Sequence, residues 1–192
     1  MLKNHFYDVY DLQHLSEIET VFKTDGLVGL NVTIPFKEKV VPYLDELSDE
    51  AEKTGAVNCI LIKDQVKKGY NTDVFGFEKT LVLHRKDFHD SALVLGNGGA
   101  AKAVKYVLEQ HQIPYQTVSR NADLNFGNLT AETVRKNRLI IQCTPVGTFP
   151  NVDARLEFPF DGITGQHLVI DLIYNPDYTS FIKKSSEKGA KT

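Results

Sequence analysis

Two sets of residues in this 192-residue chain could do chemistry. The first is Gly96-Asn97-Gly98-Gly99-Ala100-Ala101, which fits the pattern G-x-G-x-x-A and directly follows the apolar run Ala92-Leu93-Val94-Leu95. Glycine lets a backbone turn tightly and approach a pyrophosphate closely, while the free N–H groups and dipole of a following helix attract the negative charge. Such a motif gains specificity when a strand precedes it, a helix follows it and a second strand ends about twenty residues on. Here the helix is expected from Ala100 to about His111 and the second strand over Tyr115 to Ser119. That second strand runs into Ser119-Arg120-Asn121, where an NAD-binding chain places an Asp or Glu for the ribose 2′-hydroxyl. A carboxylate would repel a 2′-phosphate, whereas the planar fork of Arg120 suits one, with Ser119 and Asn121 as neighbouring hydrogen-bonding groups. NADP is therefore the expected cofactor.

The second set is Thr33, Lys37, Asn58 and Asp73. Singly, each has an ordinary structural use, because Thr and Asp cap helices, Asn suits turns and Lys is normally solvated. Each also stands at the end of an expected element, so together they could converge on a small polyol. Leu27-Val28-Gly29-Leu30-Asn31-Val32-Thr33 reads as a strand that hands over to a helix at Thr33 to Lys37, with Pro35 in its first turn. Ser48 reads as the N-cap of a next helix, with Asp49 and Glu50 at the positive end of its dipole and Gly55 as its stop. Val57 to Ile62 forms another strand, Gly69-Tyr70-Asn71-Thr72 is short and extended, and Asp73 starts a helix through Phe77, Leu81 and His84.

These elements imply an α/β fold in which a small substrate lobe precedes a Rossmann-type, parallel-sheet NADP-binding domain. The polar stretch His84 to Ser91 marks the boundary, since it separates two apolar patterns and offers little to bury, so the lobes are residues 1–85 and 86–192. Beyond it, short apolar runs at Ala92 to Leu95, Tyr115 to Ser119, Leu139 to Cys143 and Leu168 to Leu172 alternate with helical stretches, as in a parallel sheet covered on both faces. No internal repeat or low-complexity segment interrupts the pattern. With 42% hydrophobic residues the chain has enough apolar material for such a core. A net charge of −3 without any Lys/Arg block argues against a nucleic-acid partner, and no apolar run nears the ~20 residues that span a bilayer. Met1 leads into polar Lys3-Asn4-His5 and not into a signal-peptide core, so a cytoplasmic protein is expected. Cys59 and Cys143 lie in separate apolar runs and read as buried thiols of a reducing compartment. The six histidines lack ligand spacing, so no metal is expected.

Four motifs carry a resemblance. Asn31-Val32-Thr33-Ile34-Pro35-Phe36-Lys37, Gly55-Ala56-Val57-Asn58, Gly69-Tyr70-Asn71-Thr72-Asp73-Val74-Phe75-Gly76 and the turn from Gly96 to Ala101, in this order, resemble the shikimate dehydrogenase family. Asp171-Leu172-Ile173-Tyr174-Asn175-Pro176 extends the resemblance toward the end of the chain. It implies reversible reduction of 3-dehydroshikimate to shikimate with NADPH, in aromatic amino-acid (chorismate) biosynthesis. It further implies that Lys37 is the catalytic residue and Asp73 its partner, with Thr33, Asn58, Asp73 and Tyr174 contacting substrate. On the cofactor side it implies Gly96, Asn97, Gly98, Gly99, Ala100, Ser119, Arg120 and Asn121, with Leu172 and the Thr144-Pro145-Val146-Gly147 loop near the nicotinamide, and also Asp49. Departures are specific. The family opens on a strand and a Ser-x-Ser turn that grips the substrate carboxylate, whereas Met1 to Tyr10 looks like its second strand. The chain ends at Gly189-Ala190-Lys191-Thr192, before the family's Asn-Gly turn, substrate-binding Gln and closing helices, so both terminal segments are expected to be missing. Gln142-Cys143-Thr144-Pro145-Val146 stands where the family usually has Asn-Ala-Thr-Ser. The alternatives are a quinate/shikimate dehydrogenase using NAD, against which Arg120 argues, and a non-catalytic metabolite-binding module of the same fold, against which the Lys37/Asp73 pair argues.

Overall fold

The structure, a computed structural model, describes residues 6–192. Of the strand expected over Met1 to Tyr10, residues 1–5 lie outside the described residues, and residues 6–10 form no strand. After a 3₁₀ turn at Leu15–Glu17 and the short helix α1 (Ile18–Val21), the first sheet is built from β1 (Gly29–Asn31), β2 (Glu46–Leu47), β3 (Cys59–Lys63) and β4 (Val66–Tyr70), in the order β1-β3-β4-β2. β1 and β4 each run antiparallel to β3, whereas β2 runs parallel to β4. Asp64 and Gln65 both take positive φ between β3 and β4, as a two-residue hairpin loop requires to match the twist of its strands. Helix α2 (Asp49–Thr54) connects β2 to β3. Its ends are those expected: Ser48 Oγ accepts from the Ala51 N–H, and Gly55 closes the helix at φ +60°. Ile18, Val40, Ala51, Val57 and Ile60 form the small core beneath this sheet.

The helix expected over Thr33 to Lys37 does not form. The segment is a run of turns, with Phe36 N–H donating to Thr33 O and Val40 N–H to Phe36 O, followed by a 3₁₀ turn at Val41–Tyr43. One contact explains this: the Lys37 carbonyl accepts from the distant Val57 N–H at 2.7 Å instead of from the next turn.

Helix α3 (Thr72–His84) leaves the first sheet and buries Val74, Phe77 and Leu81 in the core of the second. That second sheet is wholly parallel, with β5 (Ala92–Leu95), β6 (Tyr115–Val118), β7 (Leu139–Gln142) and β8 (Leu168–Asp171) in the order β6-β5-β7-β8. Leu95 pairs with Val118 and Gln142, and Gln142 with Asp171, so the carboxyl ends of all four strands lie level. Side chains alternate between faces: Ala92, Val94 and Ile141 pack under α3 and α4 (Gly99–Gln110), while Leu93, Leu95 and Ile140 pack against α5 (Ala131–Lys136) and α6 (Ser180–Glu187). The chain leaves β5 toward β6 on one side and returns to β7 on the other. The gap between the ends of β5 and β7 is thus the topological switch point, where open α/β sheets take their ligands.

Within His84 to Ser91, Lys86, Asp87, Phe88 and Asp90 are exposed, as the segment's charge suggests, but His89 is not. His89 is 2% exposed; its Nδ1 accepts from the Lys86 N–H and its Nε2 bonds the Gln166 carbonyl, docking the segment on the second sheet's layer. Burial holds the His89 imidazole below its ordinary pKa, with Lys86 and Arg85 adding like charge against the opposing Gln166 carbonyl. Both cysteines are half-buried, not fully buried as expected. Among the described residues, no helix is long and apolar enough to cross a membrane.

Candidate active site

Lys37, Asn58 and Asp73 come from a turn, the foot of a strand and the first turn of a helix, and the structure brings all three together. Lys37 Nζ lies 2.7 Å from Asp73 Oδ2, and Asn58 Nδ2 donates to Asp73 Oδ1 at 2.8 Å. The carboxylate is thus held on both oxygens, and the start of α3 adds the favourable end of a helix dipole. Asn58 is itself fixed from both sides of its carboxamide. Its Oδ1 accepts from the Thr72 N–H at 2.8 Å, and its Nδ2 lies 2.9 Å from Thr72 Oγ1. In effect Asn58 caps α3 from the foot of β3, because the neighbouring Asn71 turns inward, donates to Thr54 Oγ1 and leaves its own Oδ1 without a partner among the described residues. Sequence reasoning named Asn58 and Asp73 but not Thr72; the signal was its place at the first position of the helix.

The Lys37 ammonium has three N–H donors and spends one on Asp73, so it can also donate to a substrate oxygen. Its side chain is 18% exposed and that of Asp73 is 32% exposed, which shields the pair from bulk water without closing it off. Thr33 lies on the same run of turns as Lys37 and is exposed. Tyr174, beyond β8, is 87% exposed and makes no hydrogen bond to another described residue, so neither joins the bonded group.

The two lobes meet at this lysine. A Cβ placed on Gly99 would lie 3.2 Å from Lys37 Cβ and 3.5 Å from its Cδ, so the aliphatic stem packs directly on the first residue of α4. Glu38 Oε2 then pairs with Lys102 Nζ at 2.6 Å, one turn into the same helix. Gly99 is therefore small for a reason the motif alone does not show: a side chain there would push Lys37 away.

The glycine turn has the shape its pattern implies. Gly96 has φ +109°, and a Cβ there would lie 3.1–3.2 Å from Thr144 and Cys143, so glycine is needed on both counts. Gly98 is the N-cap of the twelve-residue α4 without a side-chain cap, and a Cβ there would meet open space. Among the described residues no side chain answers the first N–H groups of α4, which fits an anion such as a pyrophosphate. Asn97 accepts from Lys105 Nζ at 2.5 Å, and desolvation holds that ammonium below its ordinary pKa. At the end of β6, Ser119 O accepts from the Ala122 N–H in a turn that leaves Arg120 and Asn121 exposed. Arg120 pairs with no carboxylate among the described residues, so its guanidinium suits a phosphate.

Across the switch point, Thr144 abuts Gly96, and the Leu172 N–H donates to the Gln142 carbonyl at 3.0 Å. Asp171 sits at the end of β8, its carboxyl raised by burial against the opposing bonds from Thr179 Oγ1 and the Ile173 N–H. Burial, then the nearby Asp171 charge, raises the Cys143 thiol, which makes it a poor nucleophile. Asp49 lies exposed in the first turn of α2 and makes no hydrogen bond to the glycine turn.

With this geometry in view, comparisons with known proteins agree on one family. Residues 3–60 match the family described as Shikimate dehydrogenase substrate binding domain. A shikimate dehydrogenase (NADP(+)) of Methanosphaera stadtmanae is 34% identical over 202 residues, covering 95% of this chain and 71% of the relative. Among solved structures, shikimate 5-dehydrogenase from Thermus thermophilus in complex with NADP(H) and shikimate is 30% identical with a TM-score of 0.76, covering 92% of this chain and 69% of that one. Quinate dehydrogenase from Corynebacterium glutamicum in complex with NAD has a TM-score of 0.78 at 26% identity, covering 94% and 71%. The chain spans between 65% and 73% of the length of curated relatives of this kind.

Proposed function

The chain belongs to the shikimate dehydrogenase family, and we propose that it interconverts 3-dehydroshikimate and shikimate as an NADP-linked oxidoreductase. One observation carries this reading: the Lys37–Asp73 ion pair, braced by Asn58, lies against Gly99 at the start of the nucleotide-binding helix. A group that could stabilise an oxyanion and a turn that could hold a nicotinamide cofactor thus lie side by side.

Reduction of a ketone builds negative charge on its oxygen. The Lys37 ammonium stabilises that charge and delivers the proton to the oxygen; in the reverse direction it takes the proton back. Asp73 keeps the ammonium aimed through its 2.7 Å ion pair, and its carboxylate can accept a hydroxyl of the ring. Asn58 holds that carboxylate in place, while Thr33 and Tyr174 supply further hydroxyl contacts from the rim. NADPH, when bound, supplies the hydride. The turn of Gly96, Asn97, Gly98, Gly99 and Ala100 would hold its pyrophosphate, Ser119, Arg120 and Asn121 would hold its 2′-phosphate, and Thr144 and Leu172 would border its nicotinamide. Residues 1–85 then serve as the substrate lobe and residues 86–192 as the nucleotide lobe of a cytoplasmic enzyme. Asp49, bonded to neither group, has no part in this assignment.

The test is an absorbance assay of the chain at the nicotinamide band, with 3-dehydroshikimate and either NADPH or NADH. NADPH-dependent consumption well above that with NADH is expected. A preference for NADH, or oxidation of quinate in place of shikimate, would move the chain to the NAD-linked quinate branch.

A further inference from the structure

Gln142 is the last residue of β7, fully buried, and placed where the strand end meets the switch point. A buried carboxamide must satisfy its donors and acceptor, and this one does so entirely on the loop that follows it. Its Oε1 accepts from the Thr144 N–H, and its Nε2 donates to the Thr144 carbonyl at 3.1 Å and to the Val146 carbonyl at 3.3 Å. The backbone of the same residue takes the Leu172 N–H at 3.0 Å, and the next N–H, of Cys143, donates to Leu95 O at 2.8 Å, one residue before the glycine turn. Thr144, so held, packs against Gly96. Three segments at the switch point therefore meet at one side chain and its peptide: the glycine turn, the Thr144–Val146 loop and the Leu172 strand end.

From this convergence we propose that Gln142 is a positioning residue for the nicotinamide half of the cofactor, acting through Thr144 and Val146. The inference rests on the nucleotide reading given above. Without the carboxamide, three polar backbone groups of the loop lose their partners and the loop no longer keeps its shape beside Gly96. Arg120, which would read the adenosine end, follows β6 on the far side of β5 from Gln142 and keeps its geometry.

Gln142→Met retains the volume and removes the amide. Calorimetric titrations of the 192-residue chain with NADP+ and with adenosine 2′,5′-bisphosphate, which lacks the nicotinamide half, separate the two ends. The variant should bind NADP+ at least ~10-fold more weakly while its affinity for the bisphosphate stays within about 2-fold. Should Gln142→Met fail to fold, Gln142→Asn, one methylene too short to reach both carbonyls, should show the same split with a smaller loss. Equal losses for both ligands, or no loss for either, would overturn the role of Gln142 while leaving the nucleotide site intact. A wild-type chain that bound neither ligand would overturn the nucleotide reading and this inference with it.

Discussion

The Lys37 group and the glycine turn meet where Lys37 packs on Gly99, and they solve opposite problems. Around Lys37, side chains from three separate elements are bonded to one another, so charge and direction are set by mutual contacts before any substrate arrives. At Gly96 to Ala100 the groups proposed to act are backbone N–H donors left open at the start of α4, and Arg120, proposed to read the 2′-phosphate, pairs with no carboxylate among the described residues. The difference teaches where each kind of damage should register. Losses in the first region should fall on turnover, and losses in the second on nucleotide affinity.

Asp73→Asn should give the largest separation. It keeps the shape and an acceptor for Asn58 but removes the charge that aims Lys37, so turnover should fall on the order of 10²-fold with NADP+ affinity unchanged. Parallel kinetics and nucleotide titrations would read both, and equal losses in the two would erase the division between the regions. Arg120→Ala probes the other side. Loss of a charge-assisted contact of ~1.5–3 kcal/mol should weaken NADP+ by about tenfold or more and leave NAD+ untouched. Equal weakening of both nucleotides would take Arg120 out of 2′-phosphate recognition.

A smaller effect tests the docked segment between the lobes. His89 titrates below an ordinary imidazole because it is buried, so the unfolded chain binds its proton more readily than the folded one. Its contribution is therefore fully present above the unfolded value of about 6.5 and is lost as pH falls through the lowered native value. Urea unfolding of wild type and His89→Gln between about pH 7 and pH 5 should show a shallower loss of stability on acidification in the variant. Parallel curves would place the acid sensitivity elsewhere.

Local signals were readable in the chain, and non-local ones were not. Ser48 and Gly55 were legible as the ends of α2 because a cap acts within a few residues. Ala92 to Leu95 with its glycine turn was legible, as was β7, because a strand buried on both faces shows as a largely unbroken apolar run, whereas β6 and β8 are only partly buried and showed through their place in the alternation. The turn at Thr33 to Lys37 was misread as a helix because its shape depends on Val57, far along the chain, taking the Lys37 carbonyl. The two-residue β2 has no pattern of its own and exists through its pairing with β4; helices α5 and α6 went unnamed as well. At the site, the residue types Lys37, Asn58 and Asp73 were visible, but their meeting depends on β3 lying beside β1 and β4. Gln142 was visible only as an unusual residue, since the bonds that give it meaning are tertiary.

The central claim is that Lys37 acts on the substrate and not on the cofactor, and Lys37→Met tests it most directly, since Met preserves the stem that packs on Gly99 and removes only the ammonium. Single-turnover reduction of 3-dehydroshikimate, with NADPH bound beforehand and followed at the nicotinamide band, should be slower than in wild type by at least ~10²-fold, while the NADPH dissociation constant stays unchanged. A variant that transferred hydride at close to the wild-type rate, or that lost NADPH affinity in step with rate, would contradict the account.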